Sequence, residues 1–143
     1  MIISICRRFK FDAAHHLPYY EGKCKQIHGH RWWLDVEVSG RVQDQGPQRG
    51  MIMDFVDLKK VVNEVIIDVV DHTDLNLIFD NPTAENMIRM FASSLQAKIN
   101  CMYSEYEFFS LIYLTRLRLY ETEDSYAEWK ADFVQGFATS RND

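Results

Sequence analysis

The sequence predicts an α+β domain in which an antiparallel four-stranded sheet packs on two helices placed between strands 2 and 3. Three observations carry this reading. Apolar residues alternate with period 2 in two N-terminal and two C-terminal stretches. Two stretches between them repeat with helical period. The whole lies within 143 residues, the length of one domain, with 47% hydrophobic and 26% charged residues, enough apolar surface for its own core.

The first strand covers Met1 to Ala13, where Ile3, Ile5, Phe9, Phe11 and Ala13 share one parity and Ser4, Arg8, Lys10 and Asp12 the other. Leu17 to Gln26, with Pro18 and Gly22, reads as a loop. The second strand runs from His30 to Val38, with Trp32, Leu34, Val36 and Val38 on one face. A polar connection from Gly40 to Gly50 leads to a helix capped by Asp54, with Phe55, Leu58, Val61, Val62, Val65, Ile66 and Val69 on its apolar side. After a polar loop from Asp71 to Asn76, Pro82-Thr83 opens a second helix, capped by Thr83 and lined by Ala84, Met87, Ile88, Phe91, Leu95 and Ile99. Leu111 to Glu121 and Ser125 to Trp129 supply the last strands.

Composition narrows the function. A net charge of −5 disfavours a general nucleic-acid surface. No apolar run approaches the ~18 residues of a membrane span, and Ile2 to Ile5 precede Arg7 and Arg8, the wrong charge order for a signal peptide. Three scattered cysteines do not make a disulfide framework, so a reduced, cytoplasmic protein is expected, with Cys6 and Cys101 as packing residues.

The histidines concentrate. Of five, His15, His16, His28 and His30 lie near the N-terminus and His72 follows; none comes later. Two residues apart on a strand, His28 and His30 point the same way, and His15 shares parity with Phe9, Phe11 and Ala13 on the neighbouring strand. His16 has the opposite parity and is expected to face solvent. Three neutral imidazoles suit a Zn²⁺ ion with one position left open, the pattern of a catalytic rather than a structural site. Cys24, four residues before His28, reads either as a fourth ligand that closes the site or as a thiol acting beside it. Asp71-His72 can form an acid–base pair, although Asp71 can also simply receive the end of the helix. Glu121 continues the apolar face of Leu117 and Leu119, so it either meets a ligand with paired N–H donors or ends the strand in solvent.

The motifs Phe11-Asp12-Ala13-Ala14-His15, Lys23-Cys24-x3-His28-Gly29-His30, Gly50-Met51-Ile52-Met53-Asp54-Phe55, Asp71-His72-x2-Leu75-Asn76, Pro82-Thr83-Ala84-Glu85-Asn86 and Glu121-Thr122 occur in that order. Together they resemble the 6-pyruvoyl-tetrahydropterin synthase / 6-carboxy-tetrahydropterin synthase family. The resemblance spans His15 to Thr122. It implies the tunnelling fold, a homohexamer built as a dimer of trimers, and active sites at subunit interfaces. It implies zinc on His15, His28 and His30, a catalytic Cys24 with Asp71 and His72, a pterin-anchoring Glu121 outside the zinc site, and Thr83 near the pterin. Three residues between Cys24 and His28 resemble the bacterial 6-carboxy-tetrahydropterin synthases of queuosine biosynthesis, whose substrate is 7,8-dihydroneopterin triphosphate and whose products are 6-carboxy-5,6,7,8-tetrahydropterin, acetaldehyde and triphosphate. The alternatives are a 6-pyruvoyl-tetrahydropterin synthase, which eliminates triphosphate only, and, from another class, a non-catalytic zinc-binding module. Lys10, Lys23, Lys25 and Arg31 are candidate triphosphate cations. The Lys98 to Ile112 stretch with Phe108-Phe109, the Trp32-Trp33 pair, and the tail after about residue 131 depart from the family pattern within this single 1–143 domain.

Overall fold

In the computed structural model, residues 1–103 and 112–132 are described. The Phe108-Phe109 pair and the tail past Asp132 lie outside them.

Strand β1 (Ile3–His15) pairs antiparallel with β2 (His28–Gly40) over its full length, from Ile3 opposite Gly40 to His15 opposite His28. Both strands run two residues further than alternation alone predicts, and the added residues include His15 and His28. The cause lies in the connection. Leu17 N–H donates to the Cys24 carbonyl at 2.8 Å, which continues the hairpin past the ladder, and Lys23–Lys25 forms a 3₁₀ turn within what reads as loop. Strand β2 also pairs with β4 (Tyr113–Thr122), which pairs with β5 (Ser125–Lys130). A fifth strand, β3 (Thr73–Asp74), joins β1 in parallel at Ala13 and Ala14, giving the order β3-β1-β2-β4-β5. Two residues carry no periodicity, so this strand adds to the four expected ones without a sequence signal of its own.

The first helix comprises α1 (Phe55–Val62), a π-helical stretch (Asn63–Ile67) and α2 (Asp68–Val70). Asp54 caps it as expected, accepting from Val56 N–H at 2.8 Å. The π stretch widens the turn, so the buried stripe runs Leu58, Val62, Ile66, Val70, while Val69, where regular periodicity places the next apolar contact, is 43% exposed. The second helix is α3 (Ala84–Tyr103), and the Thr83 hydroxyl accepts from Asn86 N–H at 3.2 Å as its cap.

Both helices cover one face of the sheet. Trp32, Leu34, Val36, Leu114, Leu117 and Leu119 meet Leu58, Ile66, Met87, Leu95 and Ile99 there in one continuous core. Burial on this scale, at ~25 cal/mol per Å² of apolar surface, is the main term holding the fold. The other face is polar and carries cross-strand ion pairs, Arg8–Asp35, Arg31–Asp12, Arg116–Glu37 and Arg118–Glu128. Cys6 lies on it opposite Glu37 and is exposed, as is Cys101 on α3, so neither is the packing residue expected. No helix among the described residues is long and apolar enough to cross a membrane.

Candidate active site

The three histidines meet at the end of the β1–β2 hairpin because the register demands it. His15 lies directly opposite His28, and His30 lies opposite Ala13, so all three project to the helix face beyond the last core layer. Their ring centroids are 4.6 Å (His15–His28), 5.1 Å (His15–His30) and 4.8 Å (His28–His30) apart. Trp32, wholly buried and stacked on Phe11, stands edge-on to His15 and His30 as the apolar floor.

Two backbone carbonyls decide which nitrogens face inward. The His15 Nδ1 lies 2.8 Å from the Pro82 carbonyl, and the His28 Nδ1 lies 2.8 Å from that of Gln26. A carbonyl only accepts, so each Nδ1 carries the proton and each neutral ring turns the Nε2 lone pair inward. The Nε2 atoms of His15 and His30 are buried without a hydrogen-bond partner. Burial, working against the nearby Glu121, keeps the His30 pKa below its ordinary value and so favours the neutral ring a metal needs.

Glu121 completes the group. Its Oε1 lies 3.2 Å from His15 Nε2 and 3.5 Å from His30 Nε2. One ligand atom from each of His15, His28, His30 and Glu121 falls within 4.8 Å of the others. The carboxyl is held below the usual carboxylate range, first by its contact with His15, against burial, which raises it. His15 can donate in that contact only as an imidazolium, since Pro82 takes its Nδ1 proton. With His15 and His28 both turning lone pairs toward the Glu121 carboxylate side of the cluster, these acceptors repel one another unless a cation lies between, so the set fits a metal ion. The two-residue spacing signalled His28 and His30; the carbonyls of Pro82 and Gln26, which set the tautomers, carry no side-chain signal at all.

Asp71 and His72 lie elsewhere, at the β1 edge. Asp71 accepts from the Asp12 amide at 2.9 Å through Oδ1 and holds His72 Nδ1 at 3.0 Å through Oδ2. The Asp12 amide first, then His72, keep the Asp71 carboxyl below its ordinary range. His72 N–H donates to the Asp12 carbonyl at 2.7 Å with φ at 58°, a left-handed conformation uncommon outside glycine. Its imidazole is 77% exposed. It borders an open depression of about 590 Å³ lined by Asp12, Ala14, Gly29, His30 and Thr73 among others. The pair is formed, as adjacency predicts, but it is not part of the four-residue cluster.

Cys24 is half-buried in the turn ahead of His28 and is also outside that cluster. His16, expected in solvent, is half-buried, because the Asn76 side chain takes its N–H at 2.9 Å and donates to its carbonyl at 2.9 Å. Asn76 thus pins the residue next to His15. Of the candidate cations, Lys23 and Lys25 are exposed beside Cys24, Lys10 lies over the Trp33 ring, and Arg31 is engaged by Asp12.

Comparison with known proteins places the chain among pterin-synthesis enzymes. A relative in Archaeoglobus fulgidus is 39% identical over 129 residues, covering 90% of this chain and 94% of its own; it bears, provisionally, the name 6-carboxy-5,6,7,8-tetrahydropterin synthase. Further relatives carry that name outright. A dihydroneopterin monophosphate aldolase of Pyrococcus furiosus is 43% identical over 87 residues, covering 61% of this chain and 69% of its own. The solved structure of Caenorhabditis elegans 6-pyruvoyl tetrahydropterin synthase superposes with a TM-score of 0.71 at 26% identity, covering 92% of this chain and 97% of that one. The sequence model described as 6-pyruvoyl tetrahydropterin synthase matches residues 4–132. The chain therefore belongs to the 6-pyruvoyl tetrahydropterin synthase family, whose fold it shares, and it is an enzyme of pterin chemistry.

Proposed function

We propose that the chain converts 7,8-dihydroneopterin triphosphate to 6-carboxy-5,6,7,8-tetrahydropterin, acetaldehyde and triphosphate, as a zinc-dependent lyase of queuosine and 7-deazapurine synthesis in the cytoplasm. The observation that carries this reading is the convergence of His15, His28 and His30 on one point, with the lone pairs of His15 and His28 turned inward by backbone carbonyls. The three-residue spacing from Cys24 to His28 and the relatives' names favour the carboxy product.

His15, His28 and His30 would hold the zinc, which supplies Lewis acidity at the substrate's side-chain hydroxyls and acidifies the adjacent C–H. Cys24 moves protons at that side chain as its thiolate. His72 is the second acid–base group: Asp71, kept ionised, holds its Nδ1–H and leaves Nε2 to exchange the proton. Glu121 accepts from the pterin's amino and ring N–H groups as a bidentate pair. Thr83 uses an oxygen lone pair on the Asn86 amide, which leaves its O–H to donate to the ring. That Asp71 and His72 are not part of the four-residue cluster supports a shared site, with cluster and Cys24 from one chain and Asp71 and His72 from a neighbour. Among the described residues, strand β5 pairs with β4 alone, and its other edge would serve that assembly into a hexamer of two trimers.

Incubation with dihydroneopterin triphosphate, followed by product mass and an acetaldehyde assay, tests the reading. Triphosphate without acetaldehyde would assign the pyruvoyl reaction instead. The Pyrococcus relative supplies a second reading, and turnover of dihydroneopterin monophosphate in preference to the triphosphate would favour it.

A further inference from the structure

We propose that Glu121 is the fourth ligand of the metal in the substrate-free protein, and that it leaves the metal when a pterin arrives. The second half rests on the function proposed above; the first rests on geometry alone. Two ligands of a tetrahedral ion with bonds of about 2.0–2.1 Å are about 3.3–3.4 Å apart. Glu121 Oε1 lies 3.2 and 3.5 Å from the His15 and His30 Nε2 atoms, which are two such edges. With its one proton committed to Pro82, a neutral His15 offers Glu121 a lone pair, and two acceptors at 3.2 Å repel unless a cation lies between them, the role a metal ion fills.

The ligands differ in how they are held. His15 and His28 are each fixed through the second ring nitrogen by a backbone carbonyl. Among the described residues, the Glu121 side chain contacts histidines of the cluster itself. It also sits where the β4–β5 register shifts, between Tyr120 and Thr122, with its side chain 35% exposed. A ligand braced from behind stays; a ligand without a brace, at an irregular strand end, is the one a substrate can replace. The histidines then keep the metal while Glu121 turns to the pterin's N–H donors. The site is therefore closed at rest and opened by its substrate.

The test is a Zn²⁺ competition titration against a chelator, without substrate, on the wild-type chain and Glu121→Gln. The Gln variant is expected to bind Zn²⁺ at least ~10–100-fold more weakly, with unchanged far-UV circular dichroism in the metal-free form, and its Co²⁺-loaded visible spectrum should differ from wild type. Equal Zn²⁺ affinity and equal Co²⁺ spectra would overturn the ligand assignment. A second arm adds neopterin to the Co²⁺-loaded wild-type chain. The spectrum should move; neopterin binding by calorimetry with no spectral change would overturn the exchange. Absence of any pterin binding would overturn the exchange together with the proposed function, while the Zn²⁺ titration still decides the ligand.

Discussion

Strand β1 carries two constellations of titratable groups, and they are built in opposite ways. At its end, His15 is wholly buried, its tautomer set by Pro82, within a cluster that needs nothing but an ion to be complete. At its edge, His72 is fully oriented by Asp71 and Asp12 yet mostly exposed, with an open depression beside it. The contrast teaches that one chain holds two halves of different finish, a cluster that could hold a metal ion and an exposed Asp–His pair, which is the arrangement the proposed sharing of sites between copies expects.

The largest effect should come from breaking the finished half. His15→Ala removes a central member of the cluster and leaves the buried Pro82 carbonyl unpaired, a cost of roughly 1–3 kcal/mol in its own right. It should lose metal and activity together, whereas His16→Ala, whose tether to Asn76 is through the backbone, should keep both. Metal content by atomic emission checks this, and equal loss in the two variants would defeat the assignment.

The next effect separates the halves. Cys24→Ala and His72→Ala should each retain zinc and lose about 10²–10⁴ in turnover, the usual contribution of a positioned acid or base. Mixing the two inactive proteins after reversible dissociation should recover activity if the residues of one site come from different chains. Failure to recover activity, or a clean monomer by light scattering, would place both halves in one chain.

Asp71→Asn should have a smaller effect with a distinctive pH dependence. The folded-state pKa of Asp71 lies below its ordinary value, so its stabilising contribution is present above about pH 4 and is lost as the pH falls through the lower folded value. The stability gap between wild type and Asn should therefore be constant near neutrality, at most about 1 kcal/mol for so exposed a pair, and shrink below pH 4. Urea titrations at pH 7 and pH 3 measure it; a gap that widens in acid would contradict the hydrogen bonding described.

The finished half is also the more legible one. Parity carried two residues past the expected strand ends lines up His15 and His28 with His30, Glu121 continues the face of Leu117 and Leu119, and the structure brings those four together. What alternation misses is what depends on backbone: the tautomer-setting carbonyls, the two-residue β3, and the π stretch that moves the buried stripe from Val69 to Val70. Asn76 is a further case, since its amide imitates a strand partner for His16, and nothing in the residue type announces that. The unfinished half was legible only as an adjacent Asp-His pair. Its left-handed backbone leaves no trace in a sequence when the residue is not glycine.

That backbone gives the smallest prediction and the finest test of the contrast. His72 holds φ at 58° because its N–H is bonded to Asp12 and its neighbour Asp71 caps the Asp12 amide, so the surrounding bonds impose the conformation. A residue with a Cβ is strained there by roughly 1–2 kcal/mol, whereas glycine is not. Against this, glycine gains unfolded-chain entropy worth about 0.4–1 kcal/mol relative to alanine. His72→Gly should therefore be more stable than His72→Ala by a few tenths to about 1 kcal/mol, a difference of a few degrees in Tm at this chain length. Both variants lack the imidazole, so both should be equally inactive and bind zinc like wild type. Thermal unfolding of the two metal-free proteins resolves the difference. If alanine proved the more stable, the left-handed turn would not persist without the imidazole, and the His72–Asp71 contact, rather than the two bonds to Asp12, would be what holds the edge of β1 in place.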